Sequence, residues 1–147
     1  MEILIMNGPN LNLLGQRDAG IYGPTTLEEI QEKAKLKARE LGMNVKFFQS
    51  NSEGELVDHI QSSASKVDGI IINPGALTHY GLSLSEALRD TQIPIIEVHL
   101  SNIYSREEWR AKSVIAPVAH GQISGLGWTG YIYALEFLKY HSSDAGE

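Results

Sequence analysis

Short apolar runs alternate with amphipathic stretches from the first residues onward. Ile3-Leu4-Ile5-Met6, Val45-Lys46-Phe47-Phe48, Gly69-Ile70-Ile71-Ile72 and Ile93 to Val98 read as strands, and a weaker fifth lies at Gly121 to Ser124. The third of these is apolar throughout, as strands covered on both faces tend to be. Between them the spacing becomes helical. Thr26-Leu27-Glu28-Glu29 forms a capping box ahead of Ile30, Ala34 and Leu41, with Gly42 as the stop. Ser52 to Glu55 repeats that spacing ahead of Leu56, Ile60 and Ala64. Leu82 to Asp90 predicts a short helix, and Ser105-Arg106-Glu107-Glu108 gives a third capping-box match before Trp109. Tyr131 to Tyr140 closes the chain as an amphipathic helix, with Ser142 to Glu147 as a frayed tail.

Strands that alternate with helices build βαβ units and a parallel sheet between helical layers. Five strands in 147 residues predict an α/β fold, a flavodoxin-like doubly wound sandwich with a five-stranded parallel sheet. No linker, repeat or composition shift divides the chain, so residues 1–147 read as one domain. In such a sheet ligands bind beyond the carboxyl ends of the strands. The uncommon donors collect there. Asn7, Asn10, Asn12, Arg17 and Tyr22 follow the first strand; Asn73, Gly75, Thr78 and His79 follow the third; His99, Leu100, Ser101, Asn102, Arg106 and Arg110 follow the fourth. Each group alone also reads blandly, as turn residues, hydrogen-bonded histidines or a solvated helix face beside Glu107 and Glu108. Their agreement on one rim predicts a binding site.

Composition narrows the ligand. The net charge is -6 and no basic tract occurs, which argues against nucleic acid and anionic membrane as partners. Three local arginines in an acidic chain still suit a small, polyhydroxylated anion. Two histidines and a tyrosine are the proton carriers on the rim, which points to proton-transfer chemistry. Cysteine is absent, so thiolate catalysis and Cys-based metal sites are excluded. The histidines lack ligand spacing, so no metal is expected. No apolar run reaches the about 20 residues of a membrane span, and no signal segment precedes the first strand; a cytoplasmic location is expected. Gly125-Leu126-Gly127-Trp128-Thr129-Gly130 matches a dinucleotide fingerprint. No strand follows to complete its βαβ unit, so the segment is expected to serve tight helix–strand packing, and no cofactor is expected.

Gly8-Pro9-Asn10-Leu11-Asn12-Leu13-Leu14-Gly15 with Arg17 and Tyr22-Gly23, Ile72-Asn73-Pro74-Gly75-Ala76 with Thr78-His79, and Ile96-Glu97-Val98-His99-Leu100-Ser101-Asn102 together resemble the signature of type II 3-dehydroquinate dehydratases. The resemblance runs in order from Met1 to about Tyr140. It implies cofactor-free dehydration of 3-dehydroquinate to 3-dehydroshikimate in the shikimate pathway, by anti elimination through an enolate. Tyr22 would be the base, with Arg17 against it; Asn10 would hold a water at the enolate oxygen; His99, oriented by Glu97, would be the acid. Asn73, Gly75, His79 and Arg110 would bind the substrate ring, and Leu100 and Ser101 its carboxylate. A free tyrosine ionises only near pH about 10, so that base needs a close cation, for which Arg17 is the candidate in its loop.

Ser85-Glu86 stands where the family carries an Arg-Asp pair that reaches a neighbouring subunit's site, and Glu86 would take the acid's place there. The implied assembly is a homododecamer, a tetramer of trimers. The competing expectation is a non-catalytic flavodoxin-like module that binds a small anionic metabolite.

Overall fold

A computed structural model describes residues 1–144. Strands β1 (Glu2–Asn7), β2 (Asn44–Gln49), β3 (Gly69–Asn73), β4 (Ile95–His99) and β5 (Gly121–Ser124) form a sheet in the order β2-β1-β3-β4-β5. Every pairing is parallel. The helices are α1 (Ala19–Tyr22), α2 (Leu27–Glu40), α3 (Glu53–Ser63), α4 (Leu82–Thr91) and α5 (Thr129–Asp144).

The period-2 geometry of a strand sends successive side chains to opposite faces. Ile3 and Ile5 of β1 therefore join one core with Ile30 and Ala34 of α2 and Tyr131, Ala134 and Leu138 of α5. Leu4 and Met6 join a second core with Leu56 and Ile60 of α3 and Leu84 and Leu88 of α4. This is the two-sided burial that the apolar β3 run predicts, and all five β3 residues are buried.

Local signals act as expected at two helix starts. The Thr26 hydroxyl accepts from the Glu29 amide at 3.2 Å and the Ser52 hydroxyl from the Glu55 amide at 3.3 Å. Ser105 does not start a helix. Its hydroxyl instead donates to the Asn102 carbonyl at 2.9 Å, while the Asn102 side chain accepts from the Tyr104 amide. The chain there makes short 3-10 turns at Ile103–Ser105 and Glu108–Ala111. The closing helix runs from Thr129 to Asp144, so Ser142 to Asp144 are helical and not frayed. Ala145 to Glu147 lie outside the described residues. The Gly125–Gly130 segment serves packing, as expected: a Cβ at Gly130 would lie 3.1 Å from Val98 and 3.4 Å from Ile123.

The sheet order reverses between β1 and β3, and the loops leaving those two strands meet there. A Cβ on Gly8 would stand 2.4 Å from the Pro74 carbonyl oxygen. Gly8→Ala is expected to lower stability by about 1–3 kcal/mol, since backbone cannot yield as a side chain does. Gly121, which has open space around it, serves as the control. Thermal unfolding of Gly8→Ala and Gly121→Ala checks this, and equal midpoints would contradict it.

Candidate active site

At the carboxyl ends of β1, β3 and β4 a cavity of about 230 Å³ opens. Pro9, Asn10, Arg17 and Tyr22 line it from the first loop, and Asn73, Gly75 and His79 from the second. His99, Leu100, Ser101, Arg106 and Arg110 complete it from the third. The rim expected from the sequence is thus largely assembled, but Asn12 and Asn102 are exposed outside the lining, Thr78 is buried behind it, and three further candidates also stand apart. Glu97 lies behind His99 and is fully buried. Asn7 is also fully buried and faces Tyr131. Glu86 is exposed on the outside of α4, two residues after the inward-facing Leu84, and does not line this cavity.

The floor is a polar chain at the strand ends. Asn7 and Asn73 are register partners on β1 and β3. Asn73 Nδ2 donates to the Tyr131 hydroxyl at 3.2 Å, and that hydroxyl donates to Asn7 Oδ1 at 2.5 Å. Asn73 Oδ1 accepts from the Gly75 amide at 3.1 Å. Burial pushes the Tyr131 phenol well above its usual value, so it acts as a fixed neutral hydroxyl. The sequence reading missed Tyr131, which lies on an apolar helical stripe and looks like core.

Tyr22 and His99 stand on different supports. Tyr22 ends α1, a single helical turn capped by the Asp18 side chain, which accepts from the Gly20 amide. Its hydroxyl receives two guanidinium donors, Arg17 at 2.9 Å and Arg106 at 3.1 Å. Arg17 also lies over the ring, 3.9 Å from its centroid. Both guanidinium groups thus aim donors at that one oxygen. Arg17 is therefore joined by a second cation from a distant loop, which short-range sequence reasoning could place on the rim but not against Tyr22. Arg106 also reaches the Ser101 hydroxyl at 3.3 Å.

His99 ends β4 and is 5% exposed. Its Nε2 is 2.5 Å from Glu97 Oε2, so Nδ1 is the nitrogen left for the cavity. Burial alone pushes the Glu97 carboxyl up. The hydrogen bond and charge of His99, with help from the Thr78 hydroxyl, nevertheless hold it below its usual value. His79 Nδ1 is fixed 2.8 Å from the Lys112 carbonyl, and its ring meets Trp109 edge-on at 5.0 Å. Arg110 pairs with Glu107 and lies 4.1 Å over the Trp109 ring.

The family model for dehydroquinase class II matches residues 1–139. This chain belongs to the class II dehydroquinase family. It is 56% identical over 143 residues to the 3-dehydroquinate dehydratase of Herpetosiphon aurantiacus, covering 97% of this chain and 99% of that relative. Among solved structures, the type II dehydroquinase of Butyrivibrio crossotus superposes with a TM-score of 0.92 at 45% identity, covering 94% of this chain and 97% of that one. A 3-dehydroquinate dehydratase-like protein from Bifidobacterium longum is more distant, with a TM-score of 0.72 at 27% identity over 97% of this chain and 98% of that one.

The Glu97 carboxyl titrates lower in the fold than unfolded, so its ionised form stabilises the fold above the usual value of 4.5. That stabilisation is lost as the pH falls through the lower folded value. Urea unfolding of the chain and of Glu97→Gln should show a stability gap that is full near neutral pH and shrinks below pH 4.5. A gap unchanged at about pH 3 would contradict this assignment.

Proposed function

We propose that this chain dehydrates 3-dehydroquinate to 3-dehydroshikimate, the reaction for which its relatives are named, as a single catalytic domain of a hydro-lyase in the shikimate pathway. The observation that carries the reading is the pair of poles across one cavity: a phenol held by two arginines and an imidazole backed by a buried carboxylate.

Tyr22, as phenolate, removes the proton α to the ketone, and the C–H electron pair moves onto the ketone oxygen as an enolate. A water held by Asn10 stabilises that oxygen. The enolate then reforms the ketone, the C–O bond to the leaving hydroxyl breaks, and His99 supplies the proton that makes it water. The product is a conjugated enone. Glu97 orients His99 and balances its positive charge. Asn73, Gly75, His79 and Arg110 hold the ring hydroxyls, while the Leu100 and Ser101 amides and the Ser101 hydroxyl hold the carboxylate. An anti elimination needs the base and the acid on opposite faces of the ring, and Tyr22 and His99 approach the cavity from separate loops. The chemistry so written needs no cofactor.

The same proposal extends to assembly and location. The resemblance implies a homododecamer, a tetramer of trimers, and the location proposed is the cytoplasm. Tyr80 and Leu82, 63% and 65% exposed beside His79 and at the start of α4, offer apolar surface of the kind a subunit contact covers. Glu86, exposed on that same helix, would then reach a neighbour's site.

The competing reading is a non-catalytic binder of a small anion. It needs neither base nor acid, so the two differ over Tyr22. Turnover is followed by the ultraviolet absorbance of the enone, and affinity by calorimetry with a substrate analogue. Tyr22→Phe is expected to lose about 10²–10⁴ in kcat while still binding the analogue. Arg17→Ala is expected to lower kcat far more than it raises KM. A protein that never forms enone but binds the anion equally well as Tyr22→Phe is the binder.

A further inference from the structure

Glu97 is held by more than His99. The Thr78 hydroxyl donates to its Oε2, and the Ser113 hydroxyl reaches Oε1 at 2.9 Å and Oε2 at 3.0 Å. The direction of the Ser113 proton follows from a count of donors. Its oxygen already accepts from the Ile115 amide at 3.0 Å and the Ala116 amide at 2.9 Å. Both lone pairs are then used, and a hydroxyl has one proton left to give. That proton has the carboxylate at 2.9 and 3.0 Å and the Thr78 oxygen at 2.9 Å within reach, and the carboxylate, as the charged acceptor, is the stronger of the two. Thr78 lies 2.9 Å from Ser113, and with its own proton on Oε2 it fills the other side of the same group.

The backbone fixes both hydroxyls. The Val114 amide donates to the Thr78 carbonyl at 2.7 Å, so the two segments are tied to each other as well as to Glu97. The Ser85 hydroxyl donates to the Val114 carbonyl at 2.9 Å, and Lys112 offers its carbonyl to His79. Residues 112–116 thus lie across the loop that follows β3 and the end of β4 at once.

We propose that Thr78 and Ser113 form a two-hydroxyl clamp that keeps Glu97 ionised and aimed at His99 Nε2, which makes them positioning residues for the acid step. The inference rests on the reading of His99 as the acid. A carboxylate that is fully buried must be satisfied by donors or it takes up a proton itself. Protonated, it no longer offsets the positive charge on the imidazole ring. It also loses the acceptor geometry that leaves Nδ1 to the cavity. The clamp supplies donors that carry no charge, so Glu97 directs its negative charge at His99 alone.

The clamp and the His79 contact have separable signatures. Loss of a hydroxyl on Glu97 acts on the acid step and therefore on kcat. Collapse of the 112–116 segment would also displace His79, which binds substrate, and so would raise KM. The test measures kcat, KM and thermal midpoint for Ser113→Ala, Ser113→Thr, Thr78→Val and His99→Gln, and for Ser113→Ala and Thr78→Val each combined with His99→Gln. Thr78→Val keeps shape and leaves the amide partners of Ser113 in place, so it carries the test if Ser113→Ala does not fold.

Ser113→Ala and Thr78→Val are each expected to lower kcat about tenfold or more, as loss of a donor to a charged group does, with KM within about twofold. Ser113→Thr, which keeps the hydroxyl, should recover most of the turnover. In the His99→Gln background either clamp change should matter less than about twofold, because residues that act as one unit are not additive. Wild-type kcat in Thr78→Val overturns the proposal. So does a kcat loss that persists undiminished without His99, or one that comes with a matching rise in KM. Full turnover by His99→Gln is a different failure: it removes the acid assignment itself and the clamp with it.

Discussion

A carboxylate that keeps its charge with no access to water sets the terms for this end of the molecule. Bringing an ion out of water costs several kcal/mol even after the protein relaxes, and Glu97 is 0% exposed. The structure offsets that penalty with His99 on one side and hydroxyls on the other. Those partners come from three separate places in the chain, and each must arrive within hydrogen-bond reach. The end of β4 supplies Glu97 and His99, two residues apart and so on one face of the strand. The turn after β3 supplies Thr78, and the segment before β5 supplies Ser113. Satisfying one charge therefore forces the loops around the cavity into register with the sheet.

The opposite pole is built by a different rule. Tyr22 sits on a one-turn helix, half-buried at the edge of the first core, and its charge partners are long arginine side chains rather than buried hydroxyls. Arg17 comes from the same loop, and Arg106 from the loop after β4. The Tyr22 hydroxyl is thus held by one arginine of its own loop and one from across the cavity. His99, by contrast, is fixed by the sheet. A reaction that begins with substrate entry from the open side suits one rigid pole and one pole carried on a loop.

Much of this was legible in the sequence, for identifiable reasons. The period of the apolar residues gives the strands and helices, because β1 and β3 are buried on both faces and leave no polar alternation to confuse them. The position of the cavity follows from the parallel sheet alone. A capping-box spacing at Ser105 says nothing of competing partners, and here the Ser105 hydroxyl donates back to the Asn102 carbonyl instead of accepting from an amide ahead of it. The contacts that escaped are those whose meaning lies in three dimensions. Tyr131 has the spacing of a core residue and differs only in where its hydroxyl ends. Ser113 stands in an unremarkable stretch, and its role depends on two amides that occupy its lone pairs. Arg106 was seen on the rim, but only the fold brings it 84 residues back to Tyr22.

The two poles also explain how an acidic chain can take an anionic substrate. A net charge of -6 would repel an anion at long range, but salt screens exposed charges beyond about 8 Å. Within that distance the cavity presents Arg17, Arg106 and Arg110. Glu97, behind the wall, is engaged by His99 and by the Thr78 and Ser113 hydroxyls. Glu107 is already paired with Arg110. The local field is positive where the Arg17 and Arg106 guanidinium donors converge on the Tyr22 hydroxyl at the cavity wall. Orientation of the charges, more than their sum, decides which ligands the cavity accepts.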